Sequence, residues 1–171
     1  MSIKRISITG PESTGKSTLA AHLAEALETV WVPEYAREYL NKLGRPYIES
    51  DLLEIAKGQV QAEDNMSKQA NAYLICDTDL IVIKIWSEHK YGRCHPWILE
   101  QIERRQYALT VLTYIDIPWE DDPLREHPDL RAYFYDLYKS TLTSMGIPFI
   151  EAKGDLQQRI DITLKALANL K

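Results

Sequence analysis

Apolar positions along the chain switch repeatedly between a period of two and a period near 3.6. Ile6 and Ile8 alternate with small polar residues, which predicts a strand from Ile3 to Thr9. A turn containing Gly and Pro follows. Leu19, Leu23 and Leu27 then repeat on one stripe, so Lys16 to Leu27 reads as a helix. Val30-Trp31-Val32, bounded by Pro33, predicts a short second strand. Glu34 to Leu43 reads as a helix closed by Gly44, and Ser50 as the N-cap of a long helix reaching about Asn71. Tyr73 to Cys76, closed by Asp77, predicts a third strand. Asp79 to His89 and Pro96 to Tyr107 read as helices, and Leu109 to Ile117 as a fourth strand. The charged segment from Trp119 to Asp129 holds two prolines and little periodicity, which predicts a loop or lid. Leu130 to Met145 reads as a helix ended by Gly146, Pro148-Phe149-Ile150 as a last strand, and Gly154 to Leu170 as a closing helix with Leu156, Ile160, Leu164 and Leu167 on one face.

Strands that alternate with helices predict βαβ units. The expectation is an α/β fold: a doubly wound, mostly parallel, five-stranded sheet with helices on both faces and a lid at about 119–131. Nothing along the chain marks a repeat, a low-complexity tract or a linker, so residues 1–171 are expected to form one domain. In such a sheet the carboxyl ends of the strands share one rim. The turn after Thr9, the Glu34 region, Asp77 and the segment after Ile117 are therefore expected around one crevice.

Composition narrows the partners. Of 171 residues, 45% are hydrophobic and 26% charged, which excludes a disordered chain, a collagen and a coiled-coil rod. No apolar run approaches a membrane span, and the first six residues are too polar for a signal peptide, so no membrane partner is expected. Cys76 and Cys94 form no disulfide framework, which points to a reducing, cytoplasmic setting. A net charge of −5 argues against nucleic acid as a ligand. A local phosphate site remains compatible with that charge, and a homo-oligomer stays open.

The sharpest chemical signal is Gly10-Pro11-Glu12-Ser13-Thr14-Gly15-Lys16-Ser17-Thr18, which fits G-x-x-x-x-G-K-[ST] between a predicted strand and a predicted helix. The glycines let successive N–H groups turn inward onto phosphate oxygens, and the helix N-terminus adds its positive dipole end. Lys16 is expected on the β- and γ-phosphates, and the Ser17 hydroxyl on a Mg²⁺ that bridges them. The pattern implies a nucleoside triphosphate, ATP or GTP, without specifying a reaction.

The other candidates lie on the expected rim. Asp77 ends an apolar strand, where a carboxylate holds Mg²⁺; it could instead cap the next helix, and Asp77 and Asp79 could divide those tasks. Glu34 could orient an acceptor hydroxyl or take its proton, with Tyr35 beside it and Arg37 one turn on; a plain Glu34–Arg37 surface pair is the alternative. Arg125 and Arg131 could close over transferring phosphoryl oxygens, or pair locally on a solvated loop. Trp86 and Trp119 are the aromatic candidates for stacking on a flat acceptor, since both follow predicted strands. Gln59, within the long helix, could donate to substrate but reads better as a surface glutamine, and Cys76 reads as a buried strand residue; the four histidines have no metal-ligand spacing.

Together, the phosphate loop, Pro33-Glu34-Tyr35-Ala36-Arg37-Glu38-Tyr39, Cys76-Asp77-Thr78-Asp79, and Asp116-Ile117-Pro118-Trp119-Glu120-Asp121-Asp122-Pro123-Leu124-Arg125 resemble, in order, the ribosylnicotinamide kinase domain of NadR-type proteins. The resemblance implies transfer of the ATP γ-phosphoryl group to the 5′-hydroxyl of nicotinamide riboside, giving nicotinamide mononucleotide for NAD synthesis. It implies Glu34 and Arg37 at the acceptor, Asp77 near metal or ribose, and Arg125 in the lid. NadR-type proteins often carry an adenylyltransferase domain, and some a DNA-binding module. This chain starts at the kinase strand, so neither of those activities is expected. The rival expectations are a kinase for another nucleoside or small acceptor, and a nucleotide-gated binding module that hydrolyses slowly.

Overall fold

The computed structural model describes residues 2–170. Five strands, β1 (Lys4–Thr9), β2 (Trp31–Val32), β3 (Tyr73–Asp77), β4 (Leu109–Thr113) and β5 (Phe149–Ala152), form one sheet in the order β2-β3-β1-β4-β5. Every pairing is parallel, where a mostly parallel sheet was expected. β1 occupies the centre. Seven helices connect and cover the strands: α1 (Lys16–Ala26), α2 (Tyr35–Leu43), α3 (Glu49–Met66), α4 (Leu80–Tyr91), α5 (Pro96–Arg104), α6 (Arg131–Ser144) and α7 (Leu156–Ala168). No described helix is long and apolar enough to cross a membrane.

Two apolar layers sandwich the sheet. On one face Ile6, Ile8 and Val111 pack against Leu19 and Leu23 of α1 and against Ile160 and Leu167 of α7. On the other, Leu112 packs with Ile81, Val82 and Ile85 of α4 and with Phe134, Tyr138 and Leu142 of α6. Burial on both faces also encloses the small polar residues that alternate with Ile6 and Ile8: Ser7 and Thr9 are as fully buried as the isoleucines. A third cluster joins α2 and α3 to α4 and α5 through Ala36, Leu52, Ile55, Leu80 and Ile98.

Several boundaries differ from the pattern-based expectation; α3 ends at Met66 and α5 at Arg104, short of Asn71 and Tyr107. Asp51, not Ser50, closes the start of α3: its carboxylate accepts the Ile48 N–H at 2.8 Å, which draws the helix start forward to Glu49. β4 stops at Thr113 instead of Ile117, because Asp116 turns away to accept the Gly154 N–H at 2.6 Å. The lid gives way to α6 at Arg131, after a short 3₁₀ turn at Pro128–Leu130.

Asp79, which by sequence could share the metal and capping tasks with Asp77 or stand at the substrate, takes the cap instead of a substrate position, a correction to the sequence reading. It is buried at the N-cap of α4, where its carboxylate accepts the Ile81 N–H at 2.9 Å and the Ser7 hydroxyl at 2.5 Å. Both bonds turn it inward beneath the helix. Burial lifts its carboxyl to about 6 from the ordinary 3.8.

Tyr35 is a second correction. Its ring lies flat on α3 at Gly58, where an added Cβ would fall inside the ring. A helix interior normally disfavours glycine; here the close approach of the α2 tyrosine requires it.

Two outcomes follow. Gly58→Ala is expected to lower stability by about 1–3 kcal/mol, because Tyr35 must leave its seat; an unchanged thermal midpoint would mean that the ring docks elsewhere. For Asp79, the folded state holds the proton more tightly than the unfolded chain. Its stabilising contribution is therefore complete below pH 3.8 and lost as pH rises through about 6. Asp79→Asn keeps the cap without that titration. Its stability relative to the parent protein should rise by about 2–3 kcal/mol between roughly pH 4 and pH 7, read from denaturant midpoints at each pH; a constant difference would place the carboxyl in water.

Candidate active site

The bend between β1 and α1 is the loop of residues 10–18. Its shape is fixed from below. Thr14 Oγ1 donates to the Pro11 carbonyl at 2.8 Å and lies 2.7 Å from Thr113 Oγ1, which itself donates to the Thr9 carbonyl at 3.2 Å. Gly10 has a φ of 142°, and a Cβ on it would stand 2.5 Å from the Thr113 hydroxyl. Only glycine allows β4 to approach the loop so closely. Lys16 Nζ folds over the loop and donates to the Pro11 carbonyl at 2.6 Å.

Arg159 of α7 supports the loop, and the sequence reading missed it. It is 1% exposed, the largest fully buried side chain in the protein among the described residues. Its guanidinium donates to the carbonyls of Thr14 (2.5 Å), Tyr114 (3.0 Å) and Gly154 (3.0 Å) and to the Asp116 carboxylate (2.5 Å). The available signal was an arginine beside the apolar Leu156–Ile160–Leu167 stripe, where a solvated charge has no place.

At the loop's far end Ser17 Oγ donates to Asp77 Oδ2 at 2.5 Å. Asp77 is buried, and its Oδ1 has no hydrogen-bond partner among the described residues. A hydroxyl and a carboxylate that converge while one carboxylate oxygen stays unsatisfied form a donor set suited to a hard divalent cation. Glu34, the N-cap residue of α2, faces the same end. Burial pushes the Glu34 and Asp77 carboxyls up and the Lys16 ammonium down; each is partly opposed by the opposite charge beside it.

A cavity of about 250 Å³ opens over the loop. Gly10 through Thr18 form its floor, and Glu34, Arg37, Trp86 and Arg125 stand in its walls as expected. An adjoining chamber of about 190 Å³ shares Trp86, Leu124, His127 and Phe134, and adds Tyr47 and His89. The rings of His127 and His89 sit 5.3 and 4.8 Å from that of buried Phe134, an aromatic group at the chamber wall.

Residues 119–130 hang from the loop. Glu12 accepts the N–H groups of Glu126 and His127, Ser13 Oγ accepts the Glu120 N–H at 2.9 Å, and Arg37 pairs with Asp122 at 2.8 Å. Arg125 reaches the wall of the cavity while donating to the Glu120 carbonyl. Arg131 and Trp119 do not line the cavity, which corrects the expectation that they contact nucleotide and substrate. The Arg131 guanidinium is taken up by the Ser13 and Ile117 carbonyls at 3.1 and 2.7 Å, bracing the lid base against the loop. The Trp119 ring lies between Arg131 and Arg125, 5.8 and 5.9 Å from their guanidinium carbons, and its indole donates to Asp121. Tyr35 and Asp79 are likewise absent from the cavity wall, for the packing reasons given above, and Asp77 lies behind the wall, joined to it through the Ser17 hydroxyl.

Comparison with known proteins agrees with this geometry. The sequence model of the AAA-domain family matches residues 5–159. The trifunctional NAD biosynthesis/regulator protein NadR of Escherichia coli (strain K12) is 32% identical over 159 residues, covering 90% of this chain. The chain spans 39% of that relative's length. A crystal structure of NadR in complex with NR superposes with a TM-score of 0.84 at 22% identity, over 99% of this chain and 52% of that one. A second, of NadR with NAD and AMP-PNP, gives 0.82 at 19% identity, over 99% and 50%. The fold is shared more widely with phosphate-loop kinases. The chain therefore belongs to the AAA-domain family and resembles NadR over nearly its whole length.

Proposed function

We propose that the chain is a small-molecule kinase that transfers the γ-phosphoryl group of ATP to the 5′-hydroxyl of nicotinamide riboside, giving nicotinamide mononucleotide. One observation carries the reading: Lys16, Glu34 and the Ser17–Asp77 pair meet at the end of a phosphate loop that opens into an aromatic chamber. Donor cradle and acceptor acid thus face one space. The relatives' names and ligands support the same acceptor.

The reaction is in-line and loose, so the protein's tasks are positioning and charge neutralisation. The loop N–H groups and Lys16 hold the β- and γ-phosphates, with Lys16 leaving the Pro11 carbonyl to do so. Ser17 and Asp77 would hold Mg²⁺, which supplies positive charge to the phosphate oxygens. Glu34 accepts a hydrogen bond from the acceptor hydroxyl, aligns it, and takes its proton as the new O–P bond forms and the bond to the β-phosphate oxygen breaks. Arg125 neutralises charge on the transferring group from the lid. The acceptor's flat, cationic ring would lie in the Trp86–Phe134–His127 chamber, whose lining carries the carboxylates of Glu12 and Glu126 against the single ammonium of Lys90, itself seated over the Tyr47 ring. Leu124 and the lid backbone exclude water.

ATP, Mg²⁺ and nicotinamide riboside together should release ADP and a product heavier than the riboside by one phosphoryl group. ADP release without an acceptor product, in a panel that includes ordinary nucleosides, would overturn the assignment; phosphorylation of a different nucleoside alone would relocate it to that acceptor. Lys16→Ala should lower turnover by about 10²–10⁴-fold with its thermal midpoint near that of the parent. Glu34→Gln should lower acceptor-dependent turnover by roughly 10²-fold while ATP affinity holds. Parent-like kcat in the latter variant would remove Glu34 from the reaction.

A further inference from the structure

Glu34 stands where a helix start normally uses its own side chain. The N-cap residue usually accepts an N–H from the first turn. Glu34 occupies the N-cap of α2 yet its side chain makes no capping bond, because its carboxylate faces the cavity near Lys16. The first-turn N–H of Tyr35 is satisfied from another helix. Gln59 of α3 accepts it with Oε1 at 3.1 Å.

Gln59 is 1% exposed, not the surface residue that the sequence suggested. Its amide is held at both ends. Nε2 donates to Glu63 Oε1 at 3.4 Å, and Glu63, also buried, accepts the Tyr107 hydroxyl at 2.9 Å and Arg105 Nη2 at 3.3 Å. A carboxylate accepts and never donates, so Glu63 fixes the amide orientation and aims Oε1 at Tyr35. Gly58, next to Gln59, makes room for the Tyr35 ring. Two adjacent α3 residues therefore seat the peptide that follows Glu34.

We propose that Gln59 is a positioning residue: from α3 it holds the N–H of the peptide that joins Glu34 to Tyr35, and so keeps the Glu34 carboxylate pointed at the acceptor hydroxyl. The inference rests on the reading of Glu34 given above. Gln59 touches neither nucleotide nor acceptor and acts through the α2 start.

The test compares Gln59→Leu with Gln59→Glu in the full chain. Leucine removes the acceptor and leaves the Tyr35 N–H buried without a partner. Glutamate, sharing a proton with Glu63, keeps an oxygen toward Tyr35. Amide hydrogen exchange of the first turn of α2 should speed up by about tenfold or more in the leucine variant, with the phosphate loop unchanged. Acceptor-dependent kcat should fall by about tenfold while ATP affinity stays within twofold. The glutamate variant should restore both. In a Glu34→Gln background the leucine change should cost no further turnover, because both act through one carboxylate. Full additivity in that cycle, or unchanged exchange at α2, would overturn the proposal. If the parent protein phosphorylates no acceptor, the kinase reading fails, and the exchange measurement still decides whether Gln59 holds α2. Should Gln59→Leu not fold, the glutamate variant alone decides: lost turnover with parent-like exchange would refute the assignment.

Discussion

A buried guanidinium sets the geometry of everything above it. An unpaired charge at the position of Arg159 would cost several kcal/mol, so its donors must find acceptors. They find them in three separate places: the phosphate loop at Thr14, the end of β4 at Tyr114 and Asp116, and the turn before α7 at Gly154. None of these segments is regular secondary structure, and none would hold its conformation by local bonds alone. Because the guanidinium is planar and its donors diverge at fixed angles, it sets the distances between them. The loop is thereby fixed with its N–H groups facing the cavity before any ligand arrives, which lowers the ordering cost of binding phosphate.

Above that brace, three ionisable groups share one desolvated corner. Burial acts against the charged form of each: it raises Glu34 and Asp77 and lowers Lys16. The attraction between Lys16 and the two carboxylates works the other way and is the smaller effect, while Asp77 repels Glu34 and adds to the burial. The corner is thus polarised but unsatisfied, as the bare Oδ1 of Asp77 and the bond from Lys16 to the loop's own Pro11 carbonyl both register. A polyphosphate with a divalent cation supplies the missing charges in the right order: anion to Lys16 and cation to Asp77. On the proposed reading, the same exchange draws Lys16 away from Glu34 and leaves its carboxylate to an incoming hydroxyl.

Much of this was readable from the sequence, and the failures have a common cause. The phosphate loop is a continuous motif whose residues serve one local geometry, so spacing alone placed all nine of its positions around the cavity. The alternation of short and long apolar periods likewise gave the order of strands and helices. What spacing could not show is which way a side chain turns at an element boundary. Tyr35 and Asp79 adjoin the right residues, but one packs on Gly58 and the other caps α4. Arg131 and Trp119 lie in the lid, yet their donors and ring are taken by the lid's own base. Arg159 and Gln59 were missed for the opposite reason. Each is a polar residue beside an apolar helical stripe, a position whose partners come from far along the chain: Thr14 for one, Tyr35 for the other.

The lid follows from the strength of its tethers. It is held by a few backbone N–H groups on Glu12, one on Ser13, and the Arg37–Asp122 pair. That ion pair is partly exposed, 44% and 22%, so solvent screening leaves it worth no more than about 1 kcal/mol. Each neutral hydrogen bond contributes about 1 kcal/mol net. The sum is a few kcal/mol, close to what a nucleotide's phosphates gain from one arginine and a set of loop amides. A lid bound much more tightly would bar entry, and one bound much less would leave the phosphoryl group open to water. Since Glu12 and Ser13 belong to the phosphate loop itself, any ligand that reshapes the loop alters the lid's hold in the same event. On the proposed reading, closure and donor binding would therefore be one equilibrium, with the Arg37–Asp122 pair joining the lid to α2.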